Sequence, residues 1–225
     1  MIRQLAFDLP AQEAWRREDF FVSPANAVAL AAVDGWRDWP LGKLVLVGPE
    51  GSGKTHLARM WAAAVGARIV AGAELAGADI AHLAAGGPVV VEDAEAVAGN
   101  RQAEEALFHL HNMVVPQAPL LLTARQPARD WGITLPDLRS RMDAASLARL
   151  EPPDDALLAA VLVKLFGDRQ VVVPAALIPW MVTRMERSLA VARRLVAALD
   201  ARALAEGKPI SRAMAAALLD SGDAE

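Results

Sequence analysis

Eight consecutive residues limit this chain more than any others: Gly48-Pro49-Glu50-Gly51-Ser52-Gly53-Lys54-Thr55, which fit G-x-x-x-x-G-K-[ST] at every fixed position. They follow KLVLV, whose contiguous apolar residues read as a strand buried on both faces. They precede HLARMWAAAVG, whose apolar residues recur at helical spacing up to Gly66. In that context the glycines let backbone N–H groups turn inward around phosphate oxygens, and the helix N-terminus adds partial positive charge. Lys54 then reaches the β- and γ-phosphates, and Thr55 offers its hydroxyl to magnesium (Mg2+). A nucleotide-phosphate site built from Gly48, Gly51, Ser52, Gly53, Lys54, Thr55 and the adjoining His56 is the firmest expectation.

The surrounding pattern extends that unit. Short apolar runs at residues 67–70, 88–91 and 119–123 read as strands, and AEEALFHLHNMV as a helix between the last two. Residues 26–36 read as an earlier helix with Ser23-Pro24 as its start signal. Alternating strands and helices predict a parallel sheet covered on both faces. After Pro152-Pro153 the strands stop, and Ala, Leu and Arg recur in helical periods. The expected fold class is α/β: a P-loop nucleotide-binding unit over residues 16–151, then a small all-helical lid over 152–225, with residues 1–15 as a leading peptide and linker.

Composition closes off several classes of function. With 225 residues, 54% of them hydrophobic, a sizeable core is within reach, yet no run is long enough to span a membrane. The N-terminus lacks the basic and apolar regions of a secretory leader, so a cytoplasmic location is expected. There is no cysteine for disulfides or thiolate metal sites, and the four histidines show no zinc spacing beyond an i, i+2 pair. A net charge of −4 supplies no global field for nucleic acid.

Two further stretches carry chemistry. A phosphate cradle needs a carboxylate at a neighbouring strand end to hold the magnesium water shell, and VVVED offers Glu92 and Asp93 in succession. Strand alternation sends them to opposite faces. Glu92, ending the apolar run, is the metal-side candidate, and Asp93 the candidate for polarising water; a solvated strand end is the plainer alternative. The opening QLAFDL alternates Leu5, Phe7 and Leu9 with small or polar residues before Pro10. It reads either as an edge strand folded on the body or as a peptide for another protein's groove.

In order and spacing, FFVSPANAVALAA, GPEGSGKTH, VVVEDAEAVAGN, LLLTARQPARDW, LPDLRSRMD and MERSLAVARRLV resemble the AAA+ core of the bacterial replication initiator DnaA. More closely, they resemble the DnaA-related regulators that inactivate the initiator. The resemblance runs from Gln4 to about Leu219. It implies bound ADP or ATP with Mg2+, and it places Val22 and Asn26 beside the adenine. It implies that Arg141 in LPDLRSR is a trans-acting arginine for a neighbour's γ-phosphate, and that Arg187 in MERSLAV is a sensor on the lid. Arg139, with Asp137 and Asp143, keeps a local ion-pairing alternative open in the first segment; Arg184, Arg193 and Arg194 do the same for the second.

The resemblance also gives QLAFDL a destination. Gln4, Leu5, Phe7 and Leu9 match the short peptides that dock on the DNA polymerase sliding clamp. The expected partners are therefore that clamp and the initiator DnaA, with self-association possible, no membrane, and no direct sequence-specific DNA binding. The initiator continues into a helix-turn-helix domain, whereas this chain ends at Glu225. Three departures argue against fast hydrolysis by the chain itself: Glu92 stands where the family usually has Asp, Ala124-Arg125 where a polar sensor is common, and Ala144-Ala145 where a tryptophan often follows. The expected role is a clamp-tethered activator of the initiator's ATP hydrolysis, with weak intrinsic ATPase. An autonomous P-loop ATPase of helicase-loader type is the alternative.

Overall fold

A computed structural model describes residue 17 and residues 20–220. Five strands, β1 (Lys43–Val47), β2 (Arg68–Ala71), β3 (Val89–Glu92), β4 (Leu120–Ala124) and β5 (Ser146–Arg149), form one parallel sheet in the order β2-β3-β4-β1-β5. The helices packed with it are α1 (Ala27–Asp34), α2 (Lys54–Val65), α3 (Ile80–Ala84), α4 (Arg101–Val114) and α5 (Pro136–Asp143). The contiguous apolar strands are explained by burial on both faces. In β1, Val45 and Val47 enter one core with Val89, Val91, Leu120, Leu122 and the apolar side of α4. Leu44 and Leu46 enter a second core with Val90, Leu121, α1 and α2. Every residue of β1 is buried, so side-chain alternation sorts one apolar run into two packed layers.

The expected strands at 67–70, 88–91 and 119–123 each form one residue further along the chain. β5 was not announced by an apolar run. It sits at the sheet edge beside β1, only Ala148 is fully buried, and its alternation is too short to stand out from a loop.

From residue 155 onward the described chain is helical: α6 (Asp155–Asp168), α7 (Leu177–Val182), α8 (Leu189–Glu206) and α9 (Arg212–Asp220). Their apolar faces make a third core that includes Leu158, Phe166, Met181, Leu195 and Met214. Asp154 caps α6 by accepting from Leu157 N–H at 2.8 Å, and Ser188 caps α8 by accepting from Val191 N–H at 3.3 Å. Among the described residues no helix is long and apolar enough to cross a membrane.

Candidate nucleotide site

The strands are parallel, so the loops after β1, β3 and β4 leave the same end of the sheet, where ligands of open α/β folds bind. The loop after β1 curls tightly. A Cβ on Gly48 would lie 2.6 Å from the Leu150 carbonyl oxygen and 2.8 Å from Ser52 Oγ. Gly51 has φ 71°, and a Cβ there would run into Ser188 Oγ from the helical part. Glycine is required at 48 by space and at 51 by both space and backbone angle. Ser52 Oγ is buried in this loop with no hydrogen-bond partner.

Lys54, the first residue of α2, is buried and donates from Nζ to the carbonyls of Gly48 (2.8 Å) and Pro49 (2.9 Å). Burial lowers its pKa from the ordinary lysine value, opposed by the charges of Asp93, Glu95 and Glu50 and reinforced by Arg125. These groups face a cleft of about 260 Å³ whose lining includes Glu50, Gly51, Gly53, Lys54, Thr55, His56, Asp93 and Arg125. Its far wall is α8, through Leu189, Ala190 and Arg193. Leu189 N–H donates to Gly51 O at 2.8 Å, and an Arg193 guanidinium nitrogen lies 3.5 Å from His56 Nδ1.

The two acids at the end of β3 part company. Glu92 shares the α2-facing side of the strand with Val90 and pairs with Arg59 at 3.2 and 3.3 Å. It lines a more open cleft of about 760 Å³, between α2 and edge strand β2, that shares no lining residue with the phosphate-loop cleft. This differs from the metal-side expectation for Glu92. Asp93, by contrast, faces the phosphate-loop cleft. Its backbone is left-handed (φ 50°), and its N–H donates to Thr123 Oγ1 on β4 at 3.0 Å. An outlier of that kind persists only where its surroundings hold it, and such residues gather at functional sites. Thr55 and Asp93 thus present a hydroxyl and a carboxylate to one cleft, a hard-oxygen donor set that suits nucleotide-bound magnesium.

Other expected residues lie outside the lining of this cleft. Val22 is exposed, and the buried Asn26 uses its amide on its own loop, donating to Phe21 O (2.9 Å) and accepting from Ser23 N–H (2.9 Å). Arg187 precedes the cap of α8 and bonds Asp155 at 2.6 Å and the Pro153 carbonyl at 3.1 Å, so it does not line the cleft. Arg193 is the lid arginine that does. It stands four residues after Leu189 on the same face of α8, a spacing legible once the helix start is known. Arg125 pairs with Glu50 across the cleft mouth at 3.0 Å, and its N–H donates to Glu95 at 2.8 Å. Nothing in the local pattern around Ala124-Arg125 pointed to that pairing.

Arg141 stands elsewhere. It is exposed on α5, with its guanidinium carbon 5.2 Å from the Phe108 ring centroid, and it acts electrostatically on Lys43, the first residue of β1. The phosphate loop leaves the opposite end of that strand. The loop leading into α5 is tied down by Glu104 of α4, which is fully buried. Its carboxylate accepts from Gly99 N–H, Thr134 N–H and hydroxyl, and Leu135 N–H at 2.8–3.1 Å. Burial alone would raise the Glu104 pKa, but these bonds outweigh it and hold the group below the ordinary carboxylate range. Gln4, Leu5, Phe7 and Leu9 lie outside the described residues.

A phosphate loop between β1 and α2, the strand order β2-β3-β4-β1-β5 and a helical unit resting α8 on the loop define an AAA+ fold. No protein-family model matches the chain. Domain III of the Thermotoga maritima replication initiation protein DnaA is similar, with a TM-score of 0.78 and 18% identity over 94% of this chain and 98% of that one. AMPPCP-bound DnaA from Aquifex aeolicus aligns with a TM-score of 0.64 and 17% identity, covering 84% of this chain and 65% of that one. A mutant of Thermotoga maritima RuvB gives 0.64 and 19%, covering 88% and 68%. The fold is therefore DnaA-like AAA+.

Proposed function

We propose that the chain binds ADP or ATP in the phosphate-loop cleft and acts on replication initiation as a regulator of the Hda type. In this reading the peptide at residues 4–9 tethers it to the sliding clamp, and Arg141 completes the active site of ATP-bound initiator DnaA. The observation that carries the proposal is the separation of two groups: the chain's own phosphate cradle lies at one end of β1, and exposed Arg141 stands outside that cleft, over Phe108, acting electrostatically on Lys43 at the strand's other end. A guanidinium so placed is suited to a neighbour's nucleotide, where an always-charged planar fork can neutralise charge on γ-phosphoryl oxygens. DnaA neighbours in this fold were solved with AMPPCP, which supports an adenine nucleotide here.

In the chain's own cleft, loop N–H groups and Lys54 hold the phosphates while Arg193 approaches from the lid. Thr55 and Asp93 would hold magnesium, which when bound offsets charge on the β- and γ-phosphates. Glu92, engaged by Arg59, stabilises the α2–β3 junction.

The test is phosphate release from initiator preloaded with labelled ATP, with clamp and DNA present. Wild type should stimulate it. Arg141→Ala should lose roughly 10³-fold or more of the stimulation, in line with arginine fingers generally, while binding ADP normally. Full stimulation by Arg141→Ala overturns the role of this residue. A second reading, an autonomous ATPase, is favoured by Asp93, Arg125 and Arg193 sharing one cleft with Lys54. Rapid turnover by the purified chain, indifferent to clamp and initiator, would select it.

A further inference from the structure

Lys43 is a buried cation that the chemistry above does not use. It opens β1 on the side that also carries Val45 and Val47, the side covered by α4, and is 3% exposed. Its Nζ lies 3.0 Å from Nε2 of His111, itself 4% exposed, and His111 Nδ1 lies 3.4 Å from Asn112 Oδ1. Those partners assign the tautomer: Nδ1–H donates to the amide oxygen, and Nε2 accepts from the ammonium. His111 is accordingly neutral, with burial first and Lys43 second holding its pKa down to about 4.

Burial first and the Arg141 charge second lower the Lys43 pKa, and no carboxylate among the described residues is one of the groups that shift either Lys43 or His111. On α4, Phe108 and His111 are three residues apart and share a face, so the ring under Arg141 and the imidazole under Lys43 form one wall. Two like charges are thus held over one face of α4, Lys43 on His111 at 3.0 Å and Arg141 over Phe108 at 5.2 Å. Burying an ammonium without a carboxylate is unfavourable, so the arrangement must be offset by a gain elsewhere. An oxyanion arriving at the exposed Arg141 supplies part of that gain, because it pairs with the guanidinium and replaces repulsion at Lys43 by a longer-range attraction.

We propose that Lys43, held by His111, is a positioning residue for Arg141: its charge keeps the guanidinium turned outward and adds to the field met by a phosphoryl group of a neighbouring subunit's nucleotide. The inference rests on the reading of Arg141 as a trans arginine. Its first test does not need the initiator.

Full-length chain loaded with ADP and magnesium, with ¹⁵N-labelled histidine, is titrated with inorganic phosphate at constant ionic strength. The His111 imidazole signals, assigned by His111→Gln, should shift and saturate in wild type, and the shift should be lost in Lys43→Met and in Arg141→Ala. Absence of a saturable shift in wild type, or an undiminished shift in either variant, overturns the proposal. Lys43→Met replaces a buried charge by an apolar chain of similar length and should fold; Arg141→Ala, at an exposed position, keeps the test decisive if it does not. In the hydrolysis assay, Lys43→Met should lower stimulation on the order of tenfold and flatten its dependence on salt, with ADP affinity unchanged. Equal stimulation and salt dependence in Lys43→Met, with Arg141→Ala inactive, sinks the inference and leaves the arginine reading standing. Full stimulation by Arg141→Ala overturns that reading and this inference with it.

Discussion

At the scale of single residues, the same ammonium can serve two sets of oxygens. Lys54 donates to the Gly48 and Pro49 carbonyls, so its charge is held within the loop by the oxygens that a phosphate would replace. Lys54→Ala should therefore weaken ADP binding about 100-fold, or about 3 kcal/mol, since backbone N–H groups alone remain; equilibrium dialysis of the two proteins measures this. His111 supports a second prediction. Its folded pKa, about 4, lies below its ordinary 6.5, so the unfolded chain takes up a proton first as pH falls through that window. Stability is then lost between pH 6.5 and 4. Glu104 follows the same sign at lower pH: its depressed pKa contributes stability above the ordinary carboxylate range, and that is lost only in stronger acid. Urea midpoints at about pH 6.5 and about pH 5 should differ by about 1–2 kcal/mol through His111, and His111→Gln should flatten the difference.

At the scale of elements, the decisive contact is between the phosphate loop and the start of α8. Gly51 is left-handed, its carbonyl accepts from Leu189 N–H, and its missing side chain makes room for Ser188. Gly51→Ala combines an unfavourable backbone angle with a collision at the helix cap, and should destabilise by about 2–4 kcal/mol while lowering ADP affinity. Adding Ser188→Gly removes the collision at a cost of a few tenths of a kcal/mol in capping. Thermal melts of the single and double variants should show most of the loss recovered; equal melting of the two would mean that the backbone angle alone matters. The helical period of residues 189–204 was visible in the sequence. The seat of α8 on Gly51 was not, because 137 residues of chain separate the two contacting positions and no local pattern encodes such a meeting.

At the scale of the whole molecule, the proposed tether and the proposed arginine are separable from the fold. Gln4→Ala with Leu5→Ala should abolish capture of purified clamp while leaving the melting temperature and ADP affinity within error of wild type, since a docking peptide contributes little to the core. A marked fall in melting temperature would instead make residues 4–9 part of the body. The phosphate loop leaves one end of β1, the proposed arginine lies on α5 and acts electrostatically on Lys43 at the other, and the loop into α5 is anchored through Glu104 to α4. A DnaA-like AAA+ core arranged this way supports the proposed regulator, which would hold nucleotide at one end and meet a partner at the other.

Local sequence was sufficient for the phosphate loop, the four strands with contiguous apolar runs and the longer helices, because each rests on short-range chemistry: glycine's freedom, apolar runs and apolar residues at helical spacing; the short α3 and α5 and the edge strand β5 lacked such a signal. Alternation, a property of the strand itself, also sets the side that Glu92 takes as the last residue of β3, whereas Asp93 lies past the strand end in a left-handed conformation. Which of them faces the cleft was decided by tertiary structure, because Val90 and Glu92 lie on the side packed against α2, where Arg59 meets Glu92. In the same way the resemblance singled out Arg187 before α8, but in the packed structure Arg187 bonds Asp155 and Arg193 lines the cleft. The Lys43–His111 contact spans 68 residues and joins a strand start to the last turn of a helix. Only packing α4 onto the sheet could bring a lysine and a histidine, each unremarkable in its own segment, to 3.0 Å.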